Sequence, residues 1–185
     1  MVARSTRAAG LVASMLLLAA ATGVTQENPT GVTVSSTAGV PGAEASTPVY
    51  LASASGVLPG AMTLTLSFPS DLLTFKKVES DFTDAFGFLI TTTQKTKDDG
   101  RTTVVEFDIR YKEPAKDKVL PDGPIVRVTF GIAQTATMNT EIPVQASAVV
   151  LTAGKEPMPV SPVKAYDGKV EVTGEAVFAC FFYMH

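Results

Sequence analysis

The residue types that carry most enzyme chemistry and most sugar recognition are nearly missing from this 185-residue chain, which has no Trp, one Cys and one His. The His is His185, the last residue, so no Ser/His or Cys/His pair can be assembled inside a folded domain. The lone Cys180 has no internal disulfide partner. The chain has no Trp, and its four Tyr, at positions 50, 111, 166 and 183, are scattered, which counts against an aromatic platform for stacking on sugar rings. The formal charge of −3 is small, and Lys and Arg do not cluster with aromatics, which excludes a nucleic-acid footprint. Carboxylates are present at Asp71, Glu79, Asp81, Asp84, Asp98, Asp99, Glu106 and Asp108, but no pattern brings two of them to a cleft as a glycosidase pair requires. Asp98-Asp99-Gly100 lacks the further acidic spacing of a calcium loop and reads as a turn. No catalytic residue, metal site or cofactor is therefore assigned, and the chain is not expected to be an enzyme.

Long apolar runs are also absent, except at the two ends of the chain; the amino-terminal one is the more telling. There Arg4 and Arg7 precede Leu11-Val-Ala-Ser-Met-Leu-Leu-Leu18, which ends in Ala19-Ala20-Ala21. Basic, apolar and small-residue zones in that order read as a secretory signal peptide over residues 1–21. The run is shorter than the roughly 20 apolar residues of a bilayer crossing. No Cys follows it, and the two arginines are not adjacent, so neither a lipid anchor nor the twin-arginine route is indicated. The expectation is a secreted or cell-surface protein with no transmembrane span after cleavage. What remains is enough for one domain with a real core.

What the chain does have is alternation. In Ala61 to Phe68 the apolar residues Met62, Leu64, Leu66 and Phe68 fall at every second position, while Ala61, Thr63, Thr65 and Ser67 occupy the other face. Period two means one packed and one wet side, the mark of an antiparallel sandwich. Nine strands are expected: 31–36, 45–52, 61–68, 72–79, 86–94, 101–111, 124–133, 141–152 and 168–173. Turn chemistry separates them, including Gly39-Val-Pro-Gly42, the Pro69-Ser-Asp71 corner, Lys97-Asp-Asp-Gly100 and the proline-rich Pro157 to Pro162. Val126, Val128 and Phe130 are expected inside with Arg127 and Thr129 outside, and Val170 and Val172 are expected inside. Residues 112–122 read as a surface loop. The fold class is all-β, a sandwich spanning residues 30–174.

Four pieces of the chain together resemble a cohesin domain, the module that holds dockerin-bearing enzymes on a scaffold in cellulose-degrading bacteria. Gly39-Val-Pro-Gly42 followed by Pro48-Val-Tyr50 is like the family's opening Gly-x-x-Gly and Pro-Val. Leu64-Thr-Leu-Ser-Phe68, running on to Leu73 and Val78, is like its Leu-Ser-Tyr-Asp-Pro-x-x-Leu stretch. Asp122-Gly-Pro-Ile-Val-Arg-Val-Thr-Phe130 is like its Asp-Gly followed by a strand ending Thr-Phe, and Asp167-Gly-Lys-Val-Glu-Val172 is like its closing Asp-Gly-x-Val-x-Val. The resemblance covers residues 31–174 in order. It implies a nine-stranded antiparallel jelly-roll, also shared with some cellulose-binding modules, and a dockerin-like partner protein held by one flat sheet face.

On this chain the face implied by the resemblance is Ala61, Thr63, Thr65 and Ser67, extended by Thr91, Thr92, Thr93, Thr102 and Thr103. Where cohesins often present Asn and Asp, the chain has Ala61 and Thr63, and the family's Tyr-Asp is Phe68-Pro69. A threonine face would bind through hydroxyl and backbone groups; threonine is equally a common solvent-facing strand residue. Two other readings stay open. One is a carbohydrate-binding module using Phe82, Phe86 and Phe88, whose alternative role is core packing. The other is a structural envelope protein that associates with itself. The apolar tail at residues 175–185, which contains Cys180, reads as an added edge strand, an attachment or sorting signal with Cys180 as its reactive group, or a disordered end.

Overall fold

The structure, a computed structural model, describes residues 29–81, 87–113, 118–154 and 156–174. The expected signal peptide, the Cys180 tail, Phe82, Asp84 and Phe86 lie outside the described residues. Among those described there is no helix. Eleven strands are present: β1 Thr30–Val34, β2 Thr37–Gly39, β3 Glu44–Ala52, β4 Pro59–Pro69, β5 Leu73–Ser80, β6 Phe88–Thr96, β7 Thr102–Tyr111, β8 Gly123–Ile132, β9 Thr140–Thr152, β10 Val163–Tyr166 and β11 Gly168–Val172. They form a five-stranded sheet, β10-β1-β3-β8-β5, and a six-stranded sheet, β2-β11-β9-β4-β7-β6.

Alternation decides which side of each sheet is packed. Met62, Leu64, Leu66 and Phe68 of β4 are all buried, as are Val126, Val128 and Phe130 of β8 and Val170 and Val172 of β11. They belong to one hydrophobic core between the sheets, and each such side chain stabilises the fold by about 1.5–3 kcal/mol through burial. One expected outside residue is covered. Thr129 is buried, and its hydroxyl is satisfied by Ser46 Oγ, 2.8 Å away on the neighbouring β3. The 112–122 loop is not wholly a surface excursion either. Leu120 is buried, its amide donates to the Pro59 carbonyl, and Tyr111 donates its hydroxyl to the Val119 carbonyl.

Among the described residues the count of nine strands becomes eleven, and two pairings are parallel. The additional strands are β2, parallel to β11, and β10, parallel to β1. Both are short edge pieces. Thr37-Ala-Gly39 carries no large apolar residue, and Val163 to Tyr166 follows a run of prolines, so neither shows a strand pattern of its own. Backbone pairing to a neighbour holds them.

The two Asp-Gly pieces acquire a physical role. Asp122 Oδ1 accepts hydrogen bonds from the Ser53 amide and hydroxyl, clamping β3 to the start of β8, and Gly123 takes a φ of +110°. Asp167 alone separates β10 in one sheet from β11 in the other, and its Oδ1 accepts from the Ala146 amide of β9. A Cβ on Gly168 would sit 2.9 Å from the carbonyl oxygens of Val34 and Ser35, so this crossing needs glycine.

The β6–β7 turn is closed by Asp99, which accepts from the amides of Arg101 and Thr102 and from the Thr102 hydroxyl. These bonds, the Arg101 amide foremost, hold its carboxyl below the ordinary value of 3.8. A carboxylate lowered on folding contributes stability that is full above its unfolded value and is lost as pH falls through the folded one. Hydrogen-exchange protection of the Lys97–Thr102 amides is therefore expected to drop as pH passes below the carboxylate range, and in Asp99→Ala already at neutral pH. Unchanged protection in that variant would contradict the role of the side chain.

Candidate functional site

The inward set on β4 leaves Ala61, Thr63, Thr65 and Ser67 on the outer face of the six-stranded sheet, and strand register shows what stands beside them. On β7, Ala61 faces Arg110, Thr63 faces Asp108, Thr65 faces Glu106 and Ser67 faces Val104. On β9 the same four face Leu151, Val149, Ser147 and Gln145. Beyond β7, the edge strand β6 sets Leu89 beside Arg110, Thr91 beside Asp108, Thr93 beside Glu106 and Lys95 beside Val104. Directly opposed residues have Cβ atoms about 4.5–5.5 Å apart, so these rows form one continuous surface.

Six of the residues singled out in the sequence thus share one face: Ala61, Thr63, Thr65, Ser67, Thr91 and Thr93. Thr103 does not. It pairs with Phe68 on the packed side and is 5% exposed, because Val105, Phe107 and Ile109 fix the inward parity of β7 and Thr103 shares it. Thr92 pairs with Phe107 and so has inward parity, whereas Thr102 pairs with Pro69 at the end of β4 and keeps the outward one.

Sequence reasoning missed the charged centre of this face. The β7 alternation puts Glu106, Asp108 and Arg110 outward, but only the β4–β7 pairing places them among the threonines. Asp108 and Arg110 form an ion pair at 3.3 Å, both partly exposed, worth at most about 1 kcal/mol. Glu106 is exposed and has no ion-pair partner among the described residues. Leu89, at 37% exposure, and Val149, at 52%, add apolar contact area at two sides. Toward β11, Lys169 lies between Glu141 and Glu171, and hydrogen bonds to them, Glu141 first, raise its pKa above the ordinary lysine value. The face therefore offers hydroxyl donors and acceptors around two carboxylates, with apolar margins. It holds no nucleophile paired with a base.

The outer face of the other sheet carries a different surface. Tyr166 of β10 and Tyr50 of β3 both stand opposite Thr33 of β1, forming the row Tyr166–Thr33–Tyr50, and the two rings are 49% and 40% exposed. Tyrosines far apart in the sequence are thus neighbours on the sheet. Tyr166 Cε2 lies 3.5 Å from where a Gly31 Cβ would be, so the ring leans across β1 over a position without a side chain. Phe88 serves packing: its ring stacks on Tyr111 with centroids 4.4 Å apart. Burial pushes the Tyr111 hydroxyl pKa up.

No protein-family profile matches the chain, and no curated protein matches it. Solved structures do match. The seventh ScaB type I cohesin of Pseudobacteroides cellulosolvens aligns over 85% of this chain and 99% of its own, with a TM-score of 0.60 and 13% identity. The third ScaC cohesin of Acetivibrio cellulolyticus, solved in complex with the ScaB dockerin, aligns over 78% and 99%, with a TM-score of 0.57 and 17% identity. A non-cellulosomal cohesin of the archaeon Archaeoglobus fulgidus aligns over 79% and 92%, with a TM-score of 0.55 and 16% identity. The fold of this chain is the cohesin fold, a jelly-roll sandwich.

Proposed function

We propose that this chain, which has the cohesin fold, is a non-catalytic binding module that presents the outer face of its six-stranded sheet to a dockerin-like protein. The observation that carries the reading is the composition of that face: Thr63, Thr65, Thr91 and Thr93 surround Glu106 and Asp108 on a continuous surface. The carboxylates supply charged acceptors, which β4 alone lacks. Solved cohesins of similar fold in complex with dockerins support the choice of partner class. The amino-terminal basic, apolar and small-residue pattern supports export, and with it a role in extracellular, polysaccharide-degradation-related assembly. The purified protein, assayed against a panel of dockerin domains from its own source, is expected to capture at least one, and a Thr63→Asp, Thr65→Lys double variant is expected to lose it. Capture of none, or capture that the double variant retains, would overturn this use of the face.

A second reading rests on Tyr50 and Tyr166. Two half-exposed tyrosines on the strands that flank β1, whose backbones are two strand spacings or about 9.6 Å apart, suit stacking on the sugars of an extended polysaccharide. Retardation in gels containing soluble β-glucans, abolished by Tyr166→Ala, is the outcome that would favour it. Concentration-dependent self-association without either ligand would favour a structural envelope role instead.

A further inference from the structure

At the Gly60 end of β4 the proposed binding face runs into a cavity of about 140 Å³. The backbone creates it. Gly60 approaches β9 so closely that a Cβ would sit 2.5 Å from Ala153 Cα, and the β4–β9 register shifts between Pro59 and Ala61. The chain then turns back beside β9, with the Thr152 amide donating to the Met158 carbonyl, which brings Pro157 to the rim. Ala61, Leu151 and Pro157 give the cavity apolar walls, while Arg110, Lys118 and Asp108 stand around it.

Among the described lining residues the charges are unequal, two cations against one carboxylate. Arg110 meets Asp108 through Nε, which leaves its two terminal nitrogens outside that ion pair. Lys118 Nζ lies 5.6 Å from the centroid of the Tyr111 ring, within cation–π range, and Tyr111 is itself tied by its hydroxyl to Val119. Both cations are thus positioned by neighbours beside an apolar well. That combination fits a side chain with methylenes and a terminal carboxylate, since the stem packs on apolar walls and the oxygens take charge-assisted hydrogen bonds.

We propose that this cavity receives an acidic side chain of the docked partner, with its methylenes against Leu151 and Pro157 and its carboxylate between Arg110 and Lys118. The inference rests on the partner-binding reading of the face, because Ala61 and Leu151 belong to both surfaces. It also orients the partner. The exposed carboxylate of Glu106 takes donor or cationic groups, and the basic cavity takes a carboxylate, so a partner turned end for end would meet like charges at both places.

The test uses the purified protein and a dockerin domain that the wild type captures, with affinity measured by calorimetry. Arg110→Glu combined with Lys118→Glu is expected to weaken binding at least tenfold, and Arg110→Gln combined with Lys118→Gln to weaken it by less. A single Asp or Glu to Lys change on the dockerin should restore affinity for the Glu double variant and not for the wild type. Thermal unfolding of each variant checks that it is folded. Wild-type affinity in both double variants, with loss only in Thr63→Asp, Thr65→Lys, would overturn the cavity assignment and leave the face intact. A wild type that binds no dockerin domain would overturn the face and the cavity together.

Discussion

Phe130→Ala is expected to lower the unfolding free energy by about 3–5 kcal/mol. Phe130 is fully buried near the C-terminal end of β8, paired on one side with Ala45 of β3 and on the other with Phe75 of β5. Its ring meets Phe68 of β4 edge-on, with centroids 5.1 Å apart and planes at 74°. β8 and β4 belong to different sheets, so this contact joins the two halves of the sandwich. Truncation removes apolar burial from both halves and leaves a cavity that two hydrogen-bonded sheets collapse into poorly. With domains of this size typically stable by about 5–15 kcal/mol, the loss is a large share of the whole. Urea titration should show a lower midpoint with an unchanged slope. A cost below about 1 kcal/mol would mean that the sheets do not pack through this ring.

Glu106→Arg is expected to do the opposite: leave stability within about 0.5 kcal/mol and weaken dockerin capture at least 30-fold, equivalent to about 2 kcal/mol. Glu106 is exposed and lies between Thr65 and Thr93, within the proposed contact patch on β4, β7 and β6. No ion pair to another described residue is lost on reversal. For a partner docked on this patch the reversed charge falls within the contact, where truncations and reversals cost most. Calorimetric titration of the variant beside the wild type measures the affinity, and urea unfolding of the two proteins measures the stability. Unaltered affinity would remove β7 from the interface.

The face that Glu106→Arg probes was half legible in the sequence. Period-two alternation named the inward residues of β4, β8 and β11 and placed Thr63 and Thr65 outside, because burial on one side of a strand leaves that trace whatever its partner is. Alternation is silent about neighbours. Glu106 and Asp108 are some forty residues from Thr63 and Thr65, and only the β4–β7 register brings them together. Thr103 was misplaced for a related reason. Its residue type suits a wet surface, but parity follows the strand, and Phe107 and Ile109 had already fixed it. Tyr50 and Tyr166 look scattered until β10 pairs in parallel with β1, and β10 itself is too short and too close to proline to show a pattern. The cavity at Gly60 depends on a register shift, which no local pattern marks.

The most direct test of the central claim is an amide chemical-shift map of the isotopically labelled protein on titration with a captured dockerin domain. The account predicts that the largest changes fall on Thr63, Thr65, Thr91, Thr93, Glu106 and Asp108, and continue to Ala61 and Leu151 beside the cavity. Changes centred on Thr33, Tyr50 and Tyr166, with the outer face of the six-stranded sheet unmoved, would contradict it.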